Sequence, residues 1–530
     1  MTRAATIAGE AAPVDPRPVI RVAGGRLPQI ASEIEAALLA AGVQIYQRGP
    51  LTVRPVIERV EATHGRQTNV ARLARIDAPY IRDVAGRVAR FQRFDARSRK
   101  HVDIDAPYDA AVTLLAREGE WTFRSIAGLI TTPTLRADGT VLEAEGYDEA
   151  TRLVLVAPPE MPPIGKTRED ALEAKRVLGE LIAEFPFVDR ASESVVYSMI
   201  VTPVARGAFP TTPMHAVTSH EAGSGKSYAC DIAAAVAIGQ PCPVMAAGRT
   251  EEETEKRLGA ALLTGQPLIS IDNVNGDLGG DGLCQAIERP RVDIRILGKS
   301  ENARIETRST LFATGNNLRL VADMTRRAVV ATLDPRVERP EMRQFNGSPV
   351  GAILADRGRY VAAALTIVRA YALAGRPNLA PRLASFEGWS DTVRSALMWL
   401  ECADPVLTME AARTEDPHLA ALRQLLSAWA DALGVGSAFV YTAAEVLQAA
   451  EARDDLPDAN VPAWRSPVLR DAVLVVASNR GHLDARTFGR WLARNKGRIV
   501  LGLRLDGGSD AHGHAARWWV DRVGSAEWTA

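Results

Sequence analysis

The amino-acid sequence predicts an α/β protein built around a phosphate-binding loop, or P-loop. An apolar run ending at Ala216–Ser219 is followed by a glycine-bearing turn and by an Ala-rich helix from Asp231 onward. Two further apolar runs, Pro267–Asp272 and Thr310–Asn317, have the length and bounds of buried strands. A strand, a glycine-bearing turn and a helix in this order are the context in which a phosphate-binding loop is expected.

The bulk composition limits the classes of protein that the chain can belong to. Its 530 residues suggest about three domains of ordinary size. The formal net charge of −1 excludes a bulk attraction to nucleic acid, so any DNA binding must come from local basic surfaces. The four cysteines show no paired spacing and are predicted to be reduced thiols. No run of 18 uncharged apolar residues occurs, so we expect a cytoplasmic protein without membrane contact.

Composition and periodicity divide the chain into five predicted segments. They are a disordered tail (1–17), a mixed α/β N-terminal domain (18–160), a P-loop core (161–345), a helical lid or linker (346–435) and a winged-helix-like DNA-binding domain (436–530). A proline-rich joint at 157–164 marks the boundary between the second and third segments.

The phosphate loop reads His220-Glu-Ala-Gly-Ser-Gly-Lys-Ser227. Glycines in such a loop let backbone N–H groups close around phosphate oxygens, and the following helix points its positive end at them. The Lys reaches the β- and γ-phosphates, and the Ser hydroxyl binds Mg²⁺. The predicted ligands are therefore ATP and Mg²⁺, and the predicted nucleotide-binding residues are Gly223, Ser224, Gly225, Lys226 and Ser227. The full pattern has Gly where this chain has His220.

The next apolar strand ends in Asp272, which is predicted to hold Mg²⁺ together with Ser227. Asn273 follows at a position where many such ATPases carry a catalytic Glu. An amide can orient the attacking water but cannot take its proton. The base therefore stays open between Asp272 itself and an acid of the next loop such as Asp277.

Three later features complete the predicted core. Asn316, with Asn317 as the alternative, ends a strand and would place an amide near the γ-phosphate. Arg326 and Arg327 suit an arginine finger that reaches a neighbour's ATP site, or they form an ordinary surface pair. Lys299 lies at the tip of a predicted hairpin over 293–307, which either contacts DNA phosphates or is a plain surface hairpin.

The N-terminal domain shows helical spacing at Gln29–Ala41 and strand alternation at Val43–Tyr46 and Leu51–Val56. The segment Arg72–Lys100 carries nine basic and three acidic residues. Such a run is either a solvated charged face or a nucleic-acid contact.

Near the C-terminus, Asp484 is predicted to cap a helix over Ala485–Lys496, and a hairpin follows it. Helix followed by hairpin is the layout of a winged helix. The basic residues of this helix either contact DNA phosphates or form a solvated face. The predicted DNA-binding residues here are Arg486, Arg490, Arg494 and Lys496.

Taken in order, these motifs resemble the superfamily-three helicases, in the branch of phage, prophage and mobile-element replication proteins related to the poxvirus-type primase–helicases. The resemblance implies an AAA+-like core, a sensor Asn, an arginine finger and ATP-driven DNA unwinding by a ring, expected to be a homohexamer. His220 and Asn273 depart from the family pattern. Asn273 keeps open a DNA-binding AAA+-like ATPase that acts as a switch or remodeller without unwinding, and a nucleic-acid-binding scaffold with a decayed ATPase.

Overall fold

The computed structural model describes residues 15–62, 66–295, 301–454, 463–479, 482–509 and 516–523. It is a mixed α/β protein with several sheets. The described residues form two compact units. The first comprises the described residues within Met1–Val274, Gly280–Asn316 and Val329–Pro405, and the second comprises those within Asn275–Gly279, Asn317–Ala328 and Val406–Ala530. Among the described residues, every helix is too short or too polar to traverse a lipid bilayer.

The N-terminal part of the first unit combines small sheets with three helices that pack on one of them. Its elements are β1 (Val19–Val22), α1 (Leu27–Ala40), β2 (Tyr46–Arg48), β3 (Leu51–Ala62), β4 (Arg66–Arg75), α2 (Ala78–Val88), β5 (Arg90–Asp95), β6 (Lys100–Ile104), α3 (Tyr108–Leu115), β7 (Arg124–Ser125), β8 (Gly128–Ile130), β9 (Thr134–Leu135), β10 (Val141–Leu142), β11 (Gly146–Tyr147) and β12 (Leu153–Leu155). The sheets have the orders β1-β5-β6, β4-β3-β2-β7, β11-β12-β8 and β10-β9.

The predicted helix and the second predicted strand of this region are observed as α1 and β3. The prediction of a strand at Val43–Tyr46 is wrong, because the chain turns there before β2 begins. The Val43 amide donates to the Leu38 carbonyl, and the Ile45 amide donates to the Val43 carbonyl. Ile45 is buried in the hydrophobic core that α1, α2 and α3 form with β1 and β5. The predicted tail lies outside the described residues except for 15–17.

The rest of the first unit is organised around a five-stranded sheet. Its elements are α4 (Arg168–Glu180), α5 (Arg190–Val204), β13 (Met214–Ser219), α6 (Lys226–Ile238), β14 (Val244–Ala246), α7 (Glu251–Leu263), β15 (Leu268–Leu278), α8 (Asp281–Glu288), β16 (Arg291–Arg295), β17 (Asn302–Glu306), β18 (Thr310–Leu320), β19 (Ala328–Leu333), α9 (Pro349–Ala355), α10 (Arg357–Leu373), α11 (Glu387–Trp389), a π-helical turn (Ser390–Arg394) and α12 (Ser395–Trp399). The strand order is β14-β15-β18-β13-β19, with β13 parallel to β18 and β14 parallel to β15.

Burial explains why these strands read as continuous apolar runs. All residues of β13 except Thr218 are buried, as are residues 268–271 of β15, and strands covered on both faces lose the alternation of a half-exposed sheet. Helix α6 is buried from Ala229 to Ile238 apart from the half-buried Asp231. Its small side chains let it pack closely against α5, α9 and α10.

The second unit holds the C-terminal elements. They are α13 (Leu407–Glu415), α14 (Pro417–Leu433), β20 (Tyr441–Thr442), α15 (Ala443–Ala450), β21 (Arg453–Asp454), β22 (Ala463–Trp464), α16 (Pro467–Ala477), β23 (Ser478–Asn479), β24 (His482–Leu483), α17 (Ala485–Asn495), β25 (Ile499–Val500), β26 (Leu503–Ser509) and β27 (Ala516–Arg522). The strands β20-β27-β26-β25 form a sheet beside the helices.

The packing of α14 differs from the predicted segment boundary at residue 435. Trp429 of α14 is fully buried in the same core as Phe488 and Leu492 of α17. The helices of the predicted lid are therefore shared between the two units, since α9 to α12 belong to the first unit and α13 and α14 to the second.

His215 on β13 is buried and titratable, so we expect it to make the free energy of unfolding of the first unit depend on pH. Burial lowers its pKa to about 3, and its Nε2 lies 2.9 Å from the Ser198 hydroxyl. Because the folded-state pKa lies below the unfolded value of about 6.5, the unfolded chain binds the extra proton first as the pH falls. Stability is thus fully present above about pH 6.5 and is lost toward pH 3, by about 1.4 kcal/mol per pH unit.

We expect His215→Phe to remove this loss of stability at acidic pH. The Ser198 hydroxyl keeps Thr202 as a partner at 3.3 Å. Melting temperatures between pH 7 and pH 4, measured by circular dichroism, should fall less steeply for the variant than for the wild-type chain. His418→Gln, at an exposed position, is the control and should follow the wild type. Parallel profiles for His215→Phe and wild type would contradict the prediction.

Candidate nucleotide-binding site

The predicted phosphate loop joins the end of β13 to the start of α6. Gly223 and Gly225 have φ values of +72° and +98°, in the left-handed region that favours glycine. Gly225 is the N-cap of α6, and no side chain caps the helix. The first N–H groups of a helix lack intrahelical partners. The loop and the helix therefore present backbone donors and the positive end of the helix dipole to an anion.

Close neighbours also require glycine at these two positions. A Cβ on Gly223 would lie 3.2 Å from the backbone nitrogen of Glu341, and a Cβ on Gly225 would lie 3.3 Å from the ring of Phe185. The segment around Glu341 thus runs beside the loop. Substitution of either glycine would combine backbone strain with crowding.

Lys226 folds back over the loop that it follows. Its Nζ donates to the Glu221 carbonyl at 2.9 Å and to the Ser224 hydroxyl at 3.0 Å. Burial lowers the pKa of Lys226, and the charges of Asp272 and Glu221 act in the opposite direction. The hydrogen bonds to the Glu221 carbonyl and the Ser224 hydroxyl hold the ammonium group at the loop. A phosphate oxygen would be a stronger partner there than a neutral carbonyl.

Asp272 accepts hydrogen bonds from two different elements. Its Oδ1 accepts from the Ser227 hydroxyl at 3.2 Å, and the same oxygen accepts a short hydrogen bond from the Thr314 hydroxyl of β18. The backbone N–H of Asn273 donates to the Thr314 hydroxyl oxygen at 3.4 Å. The first turn of α6, the end of the buried part of β15 and the middle of β18 therefore meet at one carboxylate.

The donor set at this point fits Mg²⁺. Ser227 and Asp272 supply hard oxygen atoms, and Mg²⁺ is usually bound by one or two protein oxygens together with phosphate oxygens and water. The predicted pair is therefore brought together. Among the described residues, no group of three or more His, Cys, Asp or Glu side chains could hold a metal ion, so the two oxygens would depend on the nucleotide for the remaining ligands.

Asn273 and Asn317 both adopt left-handed backbone conformations, with φ values of +57° and +53°. The predicted strand ends at Asp272 and Asn316 are too early, because β15 continues to Leu278 and β18 continues to Leu320. Asn273 is exposed. Of the acids considered as a base, Asp277 belongs to the second unit and pairs with Arg319 at 2.9 Å.

Asn316 lies at the predicted sensor position. In the pairing of β13 with β18 it stands opposite Ser219, the last residue before the phosphate loop. Its Oδ1 is buried and has no hydrogen-bond partner among the residues that the structure describes. A buried amide oxygen without a partner is costly, and a bound water or ligand donor would satisfy it. Asn317, the alternative, is exposed.

Arg326 and Arg327 lie in the second unit, at the end of a 3₁₀ turn formed by Ala322–Arg326. Both form ion pairs with Asp323, at 3.2 Å and 2.7 Å respectively. The side chain of Arg326 is 41% exposed and that of Arg327 is 7% exposed. Exposure therefore favours Arg326 as the residue that could reach another subunit.

The two predicted DNA-contacting surfaces are described to different extents. Strands β16 and β17 form the predicted antiparallel hairpin, but Lys299 lies outside the described residues. Helix α17 is capped by Asp484, whose carboxylate accepts from the amides of Arg486 and Thr487. Phe488 and Leu492 are buried on one face of α17. Its predicted DNA-binding residues are all exposed: Arg486, Arg490, Arg494 and Lys496.

Sequence reasoning missed Thr314, Glu341 and Phe185. Thr314 had a signal, because it lies two residues before Asn316 and a strand places alternate side chains on one face. Glu341 and Phe185 had none, since they reach the loop from distant parts of the chain. Their role at the site follows from tertiary packing alone.

No protein-family model matches this chain, and a search of curated proteins gives no match. A solved structure described as the A form apo structure of the NrS-1 C-terminal region is 11% identical and has a TM-score of 0.37, covering 93% of this chain and 99% of its own. A second A form apo structure of that region is also 11% identical, with a TM-score of 0.36 and the same coverage. TM-scores this low do not establish a common fold.

The hydrogen bond from Thr314 to Asp272 should tune Mg²⁺ affinity. In Thr314→Val the carboxylate loses the donor that orients it, and loss of such an outer partner costs about 10- to 100-fold in metal affinity. We expect the Mg²⁺ concentration for half-maximal nucleotide hydrolysis to rise by about that factor. Nucleotide binding measured in EDTA should not change.

Thr310→Val is the matched control for this experiment. Thr310 lies on the same strand and is buried, and its hydroxyl has no hydrogen-bond partner. Its replacement should leave the Mg²⁺ dependence unaltered. Equal shifts in both variants would mean that the effect comes from repacking of β18.

Proposed function

We propose that this protein is an ATP-dependent DNA helicase or replication initiator of a prophage or another mobile genetic element. The observation that carries the proposal is the approach of the Ser227 hydroxyl to the Asp272 carboxylate, 3.2 Å apart, at the uncapped start of α6. Hydroxyl, carboxylate, Lys226 and helix N-terminus together suit the phosphates and Mg²⁺ of a nucleoside triphosphate better than any other ligand class.

Each residue has a defined task in this proposal. The loop amides and Lys226 hold the β- and γ-phosphates, while Ser227 and Asp272 hold Mg²⁺, which neutralises charge on the phosphate oxygens when bound. Asn316 orients the attacking water. Arg326 of one subunit would stabilise charge at the site of its neighbour, as arginine fingers do, and this role requires a ring of subunits.

Asn273 does not exclude hydrolysis on this view. Phosphoryl transfer passes through a loose transition state in most analyses, so positioning and electrostatic stabilisation supply most of the rate enhancement. An exposed amide beside Asp272 can donate and accept hydrogen bonds to water. The proton can then leave to Asp272 or to solvent after the transition state.

Two surfaces of the protein would contact DNA. The β16–β17 hairpin would carry Lys299 to the phosphates, and the exposed arginines of α17 would bind the backbone as in a winged helix. The assignment to replication and to a hexameric ring comes from the family resemblance of the sequence. Those parts of the proposal depend on the motor activity being present.

Asn273 supports a second candidate, a DNA-binding AAA+-like ATPase switch or remodeller that does not unwind. Without a carboxylate at this position turnover would be slow, and the nucleotide would act by its presence. Stimulation by DNA separates the two candidates, because a motor couples each turnover to movement along the strand.

The first test is ATP hydrolysis by the full chain with and without single-stranded DNA. We expect DNA to raise turnover several-fold, and Lys226→Ala to lower it by about 10²- to 10³-fold, which is typical for loss of one charge-stabilising donor. Lys256→Ala removes an exposed lysine paired with Glu252 and should leave turnover unchanged. A hydrolysis rate that does not change with DNA would favour the ATPase switch. The absence of hydrolysis would contradict both the helicase and the switch.

The second test concerns α17. The triple substitution Arg486→Ala, Arg490→Ala and Arg494→Ala should weaken duplex DNA binding and reduce the slope of log K against log salt by about 3, near 0.9 for each phosphate contact. The control removes three exposed arginines that are already ion-paired and lie outside the proposed DNA surfaces, namely Arg176, Arg382 and Arg413. Equal slopes in wild type and the α17 variant would exclude this face from DNA binding.

A further inference from the structure

The hairpin formed by β5 and β6 carries an exposed aromatic pair. Phe94 and His101 stand opposite each other in the strand register, and their ring centroids lie 5.6 Å apart in an edge-to-face arrangement. Phe94 is 55% exposed, and His101 is also exposed. The two rings thus offer a π-surface to solvent at the end of the hairpin.

Basic side chains surround this pair at the hairpin turn. Arg97, Arg99 and Lys100 are exposed, and none of their side chains forms an ion pair with a described carboxylate. Two earlier arginines are different, since Arg82 pairs with Asp105 and Arg90 pairs with Asp103. The positive charge that remains uncompensated is therefore concentrated beside the rings.

The position of the pair in the sheet leaves it accessible. In the sheet β1-β5-β6, Ile20 and Phe91 are buried against the helices α1, α2 and α3. Residues alternate along a strand, so Gln92 and Phe94 lie on the opposite face from Phe91. Arg21 of β1 is the register partner of Gln92 and is exposed. This open face is aromatic and basic together.

We propose that this open face is a binding site for single-stranded DNA. Bases stack on Phe94 and His101, and the phosphates run along Arg97 and Arg99 of the turn and Arg21 of β1. Stacking on aromatic side chains within a basic groove is how proteins hold single strands without sequence preference. A duplex hides the faces of its bases, so the rings select single strands. The choice of DNA over RNA rests on the proposed function, whereas the site itself does not.

The first measurement is the equilibrium binding of a fluorescein-labelled oligothymidylate to the full chain without nucleotide, by fluorescence anisotropy. Phe94→Ala should weaken binding by about fivefold to a hundredfold, the range for loss of one stacked base. Phe94→Leu should weaken it nearly as much, and Phe94→Trp should retain it. Val102→Ala is the matched control, because Val102 is an exposed apolar residue of the same hairpin and should change nothing.

Charge and location are tested separately. The combined change Arg21→Ala, Arg97→Ala and Arg99→Ala should lower the salt slope for single strands by about 2, near 0.7 for each phosphate. An iodouracil-substituted strand should photocrosslink to the peptide that contains Phe94. Unchanged affinity in both Phe94→Ala and the triple variant, or crosslinks confined to other segments, would overturn the proposal.

Two further arms separate this site from the proposed function. Tighter binding of an oligouridylate than of the oligothymidylate would overturn the assignment to DNA. Lys226→Ala should bind the single strand as well as the wild type does, because the site needs no nucleotide. If the wild-type chain shows no DNA-stimulated hydrolysis but binds single strands through Phe94, the helicase proposal is contradicted and the single-strand site is supported. If it shows DNA-stimulated hydrolysis but Phe94→Ala does not weaken binding, only the single-strand site is contradicted.

Discussion

The Asp272 carboxylate is the point on which the geometry of the nucleotide site depends. It accepts from Ser227 at the start of α6 and from Thr314 on β18, so one side chain joins the phosphate loop to two strands of the sheet. A partly buried carboxylate keeps its place only when donors satisfy it. The strand order makes this possible, because β18 lies between β15 and β13. Asn316 then falls beside Ser219 and the start of the loop.

The same two strands also connect the site to the second unit through the chain itself. Asp272 is followed by Asn275–Gly279, and Asn316 is followed by Asn317–Ala328, and both of these segments belong to the second unit. Asn273 in β15 and Asn317 in β18 adopt left-handed backbone conformations just before or at the crossing. The residues that would sense the nucleotide are thus joined by a few bonds to the unit that carries Arg326 and α17.

The N-terminal part of the first unit is packed on the part that contains the five-stranded sheet, although a proline-rich segment lies between them. The guanidinium of Arg48 is buried and donates to the carbonyls of Ala127 and Leu262, the latter in α7. Burial lowers the pKa of Arg48 to about 10, so the group stays charged at neutral pH. The amide of Leu73 donates to the carbonyl of Thr264, just after α7. The β5–β6 hairpin therefore belongs to the same compact unit as the phosphate loop.

The sequence by itself determined the features that depend on neighbours along the chain. Turn glycines and a helix cap have local causes, and so the glycine-bearing turn before α6 and the Asp484 cap of α17 could be predicted from residue order. Tertiary structure alone decided which partners distant residues find. Only packing shows that Thr314 holds Asp272, that Glu341 lies against Gly223, that Arg327 is buried and that α14 shares a core with α17. The physical reason is that burial and hydrogen-bond pairing at these sites depend on residues tens to hundreds of positions away, which no local pattern encodes.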